Sequence, residues 1–581
     1  MISNNEIAVL FLCLFTTYKV ANLFRWYRAA KATGLPIVIT PVLETEIWGY
    51  VLTPILRRVY YNYLLQGRGW PQWCRFMIKD WAWEDKRRAH DKFGDVFLVV
   101  SPEGIICYSA NAPFNHDVMN RRSEFTKPRD KYKLLEPYGP NVATAEGKTY
   151  RFHVRITAPP FSDANGANDL VFSETMTQTK LLMQSWSHQA SDELQLDVNG
   201  LTLAVISMAG FGKQLDWTSN SDDNTSNIPL GYDQSFLRAI NDTTGYMTAI
   251  LLLPKWLLRL TSLRCAAVAH DNLDRYMREM IRAEREKIHS DSAYESTSAR
   301  GNLLTSLLKA SALEGATDAK RGSSTRKEAF TEDEVMGNLF IYLLAGYETT
   351  ANAILYGLIV LALRPDIQAK CIAEIDRIYV EAAAESRSTL TYADDFEKLE
   401  YLYGFMYETF RLYPGVIMIT KMVKKDTIVT IPGDGSGQPP RTILLPRECR
   451  VYLNSPATQY SERYWPEPEK LDPHRWDKVV RPVSESWSEK EGKHNVVAAD
   501  KTRQMRGTFL TFSDGARACL GRKFAQAEYI AFLVTLLRKY EVVLGEGTDR
   551  DLGQKDLDLR CAGKVTLAPV DNYKLKLVKR N

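Results

Sequence analysis

Apolar residues along this chain recur mostly every three or four positions, the period of a helix with one buried face. That spacing runs with interruptions from about residue 165 to 290, and again from Phe330 to Leu363. The second stretch has a start signal, because Thr331 followed by Glu334 forms a capping box, and a stop signal in Arg364–Pro365. RKFAQAEYIAFLVTLLRKY, residues 522–540, reads as a further amphipathic helix. Strand-like alternation is confined to short runs such as VFLVV and IICYS between residues 38 and 110, beside glycine-containing turns. Polar stretches break the pattern at 218–227 (TSNSDDNTSN), 288–330 and 487–506. Most of 288–330 reads as a linker, with a short amphipathic helix over GNLLTSLLKASAL as the other reading. The predicted fold class is mainly α with small β-sheets.

The first residues follow a different pattern. IAVLFLCLFTTYKVANLF, residues 7–24, is apolar apart from Lys19 and Asn22, and at about 1.5 Å per residue it nearly spans a hydrocarbon core. Arg25, Arg28 and Lys31 follow it, whereas Glu6 is the only charged side chain before it. That asymmetry predicts a membrane anchor with the rest of the chain in the cytosol. A cleaved signal peptide is the rival, but the basic residues follow the apolar run and no A-x-A site does. The expected organisation is an anchor over 1–30, a membrane-proximal linker and hinge over 31–84, and a globular catalytic domain over 85–581. GLPIVITP (34–41) suits a stiff exit from the bilayer. ILLLPKWLLRL (250–260) is either a core helix or a rim that dips into the membrane.

Composition narrows the function classes. Hydrophobic residues make up 45% and charged residues 25% of the 581, as in ordinary globular proteins. The net charge of +4 is spread without runs of like sign, so there is no footprint for nucleic acid. The 8 cysteines form no C-x-x-C pair and the 8 histidines no H-E-x-x-H, which argues against zinc sites and a disulfide framework. This usage fits a reducing compartment, where the sequons at Asn224 and Asn241 stay unmodified.

One cysteine stands in a distinctive setting. In FLTFSDGARACLG (509–521), Gly515 and Gly521 permit tight turns or close approach to a flat ligand, and Cys519 lies at the start of the 522–540 helix. A helix N-terminus favours a thiolate. A thiolate with no partner ligands on the protein suits haem iron, whose other in-plane positions the porphyrin fills, and Arg517 then pairs with a propionate. A buried structural cysteine is the bland alternative. In ETFRLYP (408–414), Glu408 and Arg411 share a helix face, either as a surface pair or as a buried one. In AGYETT (345–350), a threonine inside a helix bonds back to the carbonyl four residues earlier and opens a groove.

Taken together, these segments resemble the cytochrome P450 family. Phe512, Gly515, Arg517, Cys519 and Gly521 match every fixed position of its F-x-x-G-x-R-x-C-x-G haem signature. AGYETT is similar to its oxygen-activation motif, which implies that Thr349 holds iron-bound dioxygen and Glu348 relays protons. ETFRLYP and Pro473–His474–Arg475–Trp476 match the segments whose Glu408, Arg411 and Arg475 equivalents form a structural triad. The match is weaker at TYRFHVRITAPPF (149–161). There Tyr150 and Val154 stand where the family has a propionate-binding aromatic and basic residue, leaving His153 or Arg155 as substitutes. Lys421 stands in place of a propionate-binding arginine, keeping the charge but losing the fork.

The resemblance spans roughly 85–575, with insertions like those of fungal members. It implies a P450 fold with an N-terminal transmembrane helix, haem b on a cysteine thiolate, and monooxygenation of a lipophilic substrate, as in secondary metabolism. By position the pocket is lined from Leu134–Val142, Leu344–Ala345, Val416–Thr420 and Ala562–Thr566. Residue 581 follows the haem loop too soon for a flavin domain, so electrons are expected from a separate NADPH–cytochrome P450 reductase, with cytochrome b5 as a further partner. The reductase is expected near Arg522 and Lys523, and the enzyme in the endoplasmic reticulum membrane. Two other readings are a reductase-independent isomerase or dehydratase on the same fold, whose relatives tend to lose the acid–threonine pair, and a haem-binding membrane protein without turnover.

Overall fold

Residues 4–162, 166–186, 194–215, 228–290, 302–309, 311, 330–433, 439–477, 485–488, 493–496, 506–545, 549–561, 566–570 and 573–580 are described by a computed structural model. The 218–227 segment with Asn224, most of 288–330 and most of 487–506 lie outside them. Helices of ten residues or more are α1 (Asn4–Lys31), α2 (Ile47–Leu65), α3 (Gly147–Thr157), α4 (Ala167–Trp186), α5 (Leu194–Phe211) and α6 (Phe236–Gly245). They continue with α7 (Arg264–Ser290), α8 (Glu332–Leu363), α9 (Pro365–Ala384), α10 (Glu400–Leu412), α11 (Arg522–Leu537) and α12 (Arg550–Leu559).

Helix α8 is the axis of the core. Its start is the expected capping box: the Glu334 amide donates to the Thr331 hydroxyl at 3.2 Å, and the Thr331 amide donates to Glu334 Oε2 at 2.8 Å. Helices α5 and α8 are long and apolar enough to cross a membrane, yet most of each is buried inside the protein, so they serve as core helices. Helix α11 is buried all round between Gln526 and Leu537, packed against α4, α8, α9 and α10. The one-sided helix expected there is therefore corrected: a helix wrapped by four others shows no polar face. Within 288–330, residues 303–309 are helical and bury Leu303, Leu304, Leu307 and Leu308, as the amphipathic reading required.

The main sheet has six strands: β1 (Ile37–Ile39), β2 (Val96–Ser101), β3 (Gly104–Ser109), β4 (Phe125–Thr126), β5 (Met418–Val423) and β8 (Arg450–Asn454). Between β5 and β8 the chain forms a separate hairpin of β6 (Thr427–Ile431) and β7 (Arg441–Leu445). The sheet order is β1-β2-β3-β8-β5-β4, with β1–β2 and β3–β8 parallel. Every residue of β2 and β3 is buried, because both faces of the sheet are covered.

Residues 31–84 differ from the expected linker. They supply β1, α2 and the fully buried Trp70, Trp81 and Trp83, with buried Arg75 and Asp85 paired at 3.1 Å. Glycine and proline punctuate this segment, but its tryptophans bury too much surface for a hinge. Helix α1 keeps Val9 through Phe15 largely exposed, with Leu10 at 55%, while Trp26 and Ala30 pack on the sheet beside Leu35 and Val96. Lys19 pairs with Glu103 in the β2–β3 turn, so α1 meets the folded domain before its apolar run ends. The 250–260 segment breaks at Pro254 into short helices that expose Leu252, Trp256 and Leu260 and bury Leu258.

Candidate active site

Helix α10 is buried from Leu402 to Leu412, and Glu408 and Arg411 sit one turn apart on it. Arg411 grips the Glu408 carboxylate side-on through Nε at 2.9 Å and Nη2 at 2.7 Å. Arg475 Nε at 3.2 Å, Trp476 Nε1 at 2.9 Å and the Asp472 amide at 3.1 Å also donate to that carboxylate. Arg411 Nη1 donates to the carbonyls of Gln459 and Pro468 at 2.8 and 2.7 Å. A buried ion pair is tolerated when its remaining hydrogen-bonding capacity is met in this way. The structure thus brings Glu408, Arg411 and Arg475 together, around a carboxylate that Trp476 also holds.

Gln459 carries this order to the cysteine loop. Its Nε2 donates to the Arg411 carbonyl at 2.7 Å, and its Oε1 accepts the Leu510 amide at 2.8 Å. The Thr511 hydroxyl donates to the Phe410 carbonyl at 2.9 Å, and Phe512 packs edge-on against Phe410 with centroids 5.6 Å apart. The Cys519 amide then donates to the Phe512 carbonyl at 2.9 Å and closes the loop. Gly515 turns it with φ of +65°, where a Cβ would stand 2.6 Å from Asn120 Oδ1. Asp514 Oδ1 accepts the Gly515 amide at 2.6 Å, and Asp514 Oδ2 lies 2.7 Å from His116 Nδ1. At Gly521 a Cβ would meet nothing nearer than Phe161 Cε1 at 3.9 Å, so protein neighbours do not demand glycine there.

Cys519 is accessible although it is set deep between these loops, whereas Cys74, Cys107, Cys371 and Cys449 are buried. Burial pushes its thiol up, with the Gly521 amide opposing. A metal cation at the sulfur reverses that balance.

Three cations meet beside the loop. Arg517 Nη2 lies 3.0 Å from Glu146 Oε1 and donates to the Ala145 carbonyl at 2.6 Å, and its guanidinium lies over the Tyr150 ring at 3.2 Å. Lys421 on β5 is pushed down to about 8, by burial first and then by repulsion from Arg517, against the pull of Glu146. Lys127 is held well below its ordinary value by burial, Arg517 and Lys421, and its ammonium donates to the Ala143 carbonyl. One carboxylate against these cations leaves a buried positive excess, which suits an anionic ligand. Lys127 was missed by sequence reasoning, since nothing in its spacing links it to Arg517 or Lys421. His153 is placed elsewhere. Its Nε2 faces Glu334 Oε1 at 3.4 Å and its Nδ1 faces Asn338 Nδ2 at 3.3 Å, and burial pushes its imidazole down. It ties α3 to α8, and Tyr150 takes the position beside Arg517.

Midway along α8 the burial lapses: Ala345 is exposed, and Gly346, Glu348 and Thr349 are half-buried, between the buried runs Val335–Leu344 and Thr350–Asn352. The Thr349 hydroxyl donates to the Ala345 carbonyl four residues back at 2.7 Å, the bond its spacing predicts. Glu348 Oε1 accepts from both the hydroxyl and the amide of Thr566, at 3.0 and 3.2 Å. Of the expected pocket lining, Val416 is 40% exposed and Thr566 is buried, while 562–565 lie outside the described residues.

The family model for cytochrome P450 matches residues 70–562. The chain belongs to the cytochrome P450 family. It is 56% identical over 570 residues to cytochrome P450 monooxygenase prx9 of Penicillium rubens, covering 98% of this chain and 96% of that one. It is equally similar, over the same shares, to cytochrome P450 monooxygenase ORF6 of Penicillium roqueforti. The crystal structure of the cytochrome P450DA heme domain superposes with a TM-score of 0.64 at 17% identity, over 94% of this chain and 99% of that one. This P450 is therefore a monooxygenase that uses haem on a cysteine thiolate, takes electrons from a redox partner and acts on a lipophilic substrate. An accessible cysteine in a preshaped loop, a buried positive excess and a bared stretch of α8 are the features such a cofactor requires.

Proposed function

We propose that Cys519 is the residue that would hold the haem iron in this monooxygenase. The observation that carries this is its accessibility inside a loop that the triad and Gln459 hold in place. Phe512, Gly515 and Gly521 shape the loop beneath the porphyrin, and Arg517, Lys421 and Lys127 take the propionates. When bound, the haem supplies activation of dioxygen, one atom of which enters the substrate while the other leaves as water. With haem in place, Thr349 would orient solvent beside the reaction site, and Glu348 would hold and pass protons there as a general acid. Glu408, Arg411 and Arg475 act through the fold. Retention of the Glu348–Thr349 pair favours monooxygenation over isomerase or dehydratase chemistry.

The redox partner is an NADPH–cytochrome P450 reductase, with cytochrome b5 as an auxiliary donor, docking beside Arg522 and Lys523. The exposed apolar turns of α1 anchor the enzyme in the endoplasmic reticulum membrane with its catalytic domain in the cytosol, and Leu252, Trp256 and Leu260 rest on the same surface. Half-buried Ile417 and Met418 beside Val416 favour an apolar substrate. The deciding experiment is the reduced, carbon monoxide-bound spectrum of Cys519→Ala. The red-shifted Soret band of thiolate ligation should vanish and should persist in Cys561→Ala. A band that survives Cys519→Ala overturns the assignment.

A further inference from the structure

The acid of the proton relay does not hold itself. Glu348 sits on a half-buried turn of α8, and its Oε1 accepts from a distant residue, Thr566. That residue bonds twice to one carboxylate oxygen, through its amide at 3.2 Å and its hydroxyl at 3.0 Å. The hydroxyl has one proton, which it donates in the hydrogen bond to Glu348, and its lone pair accepts from Asn352 Nδ2 at 2.9 Å. Asn352 lies one turn beyond Glu348 on the same helix and is buried, so both ends of the bridge are anchored in α8. Thr566 is also buried, and the next amide, of Leu567, donates to the Gly415 carbonyl at 2.9 Å. The threonine is thereby fixed to the segment that carries Val416, Ile417 and Met418.

We infer that Thr566 is the positioning residue for the Glu348 carboxylate, with Asn352 setting the direction of its hydroxyl. The inference rests on the proton-relay role proposed for Glu348 and extends it to a residue 218 positions away in the chain. An exposed carboxylate on a helix samples several rotamers. Two donors on one oxygen restrict the carboxylate to fewer rotamers. A relay acid displaced by a fraction of an ångström loses its proton path, because transfer needs a donor–acceptor distance of roughly 2.6–3.2 Å. Valine at position 566 keeps the shape and the amide but removes the hydroxyl. Serine keeps the hydroxyl.

The test uses full-length holoenzyme reconstituted with reductase, without added organic substrate. It measures the share of NADPH electrons released as peroxide and the solvent deuterium effect on NADPH oxidation in Glu348→Gln, Thr566→Val, Thr566→Ser and the double variant Glu348→Gln/Thr566→Val. The thiolate carbon monoxide band serves as the check that each variant is folded and loaded. Thr566→Val should raise the peroxide share several-fold, Thr566→Ser should restore it, and the double variant should be no worse than Glu348→Gln alone. A second readout is independent of turnover. The carboxylate stretch that Glu348→Gln deletes from the infrared difference spectrum should shift in Thr566→Val and stay in place in Thr566→Ser. If Glu348→Gln is impaired while Thr566→Val matches the unaltered enzyme in both readouts, the positioning role is overturned and the relay stands. Additive effects in the double variant overturn it as well. If Glu348→Gln is itself silent in turnover, the relay reading fails and the role of Thr566 falls with it.

Discussion

A single methyl group at Gly515 meets two obstacles at once. The residue sits at a φ of +65°, where an L side chain is strained, and its Cβ would stand 2.6 Å from Asn120 Oδ1. Gly515→Ala should cost about 1–3 kcal/mol and lower haem content, read by thermal unfolding and Soret absorbance. Adding Asn120→Ala should recover only the part due to the clash. Lys421 gives a pH signature. Its folded value of about 8 lies below its ordinary 10.5, so from about 8 to 10.5 the unfolded chain binds a proton the folded one does not. Lys421 should therefore contribute stability to the apoprotein that rises with pH across that window, by at most about 1.4 kcal/mol per pH unit, and Lys421→Met should reduce the slope by that share, the depressed Lys127 supplying slope of the same sign. Haem loading should flatten it, since propionates stabilise the ammonium. Urea unfolding at a series of pH values measures all three. At this scale the motif residues were legible in the sequence because their spacing is local. Lys127 and Gln459 were not, and Thr566 was placed only as pocket lining, since each acts on a residue brought near only by tertiary packing.

Helix α10 shows why an i, i+3 pair can matter far more than its surface value. Arg411 satisfies one carboxylate and several loop carbonyls in full burial. Arg411→Leu would leave those carbonyls bare and cut the donors to Glu408, a loss of about 3–5 kcal/mol. The expected outcome is little folded, haem-loaded protein. Arg411→Lys should fail as well, because an ammonium cannot reach carboxylate and carbonyls together. Yield of the thiolate carbon monoxide band per milligram checks both. The sequence revealed that Glu408 and Arg411 face one way but not whether they are buried; burial depends on Trp476 and Gln459, which no helix periodicity encodes. The capping box of α8 was legible for the opposite reason, being complete within four residues. The polar face expected of α11 failed because a helix enclosed by four others has no solvent side.

The whole molecule ties its first helix to its sheet. Trp26 and Ala30 pack against the main sheet, whereas Val9 through Phe15 do not. Deleting residues 1–18 should move the protein from the membrane to the soluble fraction with its melting temperature nearly unchanged. Deleting through Lys31 should destabilise it by about 1–3 kcal/mol for the lost apolar contact. Fractionation and thermal unfolding separate the two effects. The segment 31–84 was read as a hinge because its partners are remote in sequence: Trp70 and Trp81 pack on a sheet whose strands come from residues 37–126 and 418–454. That same long-range assembly bears on how the enzyme matures. Gln459 fixes the amide of Leu510 to the end of α10 using protein groups alone. Ties of this kind should keep the loop in shape in the apoprotein, so that little ordering entropy would be charged against cofactor affinity. Cofactor exchange should then be limited by access through the surrounding loops, an outcome that haem-transfer kinetics to an acceptor apoprotein would check.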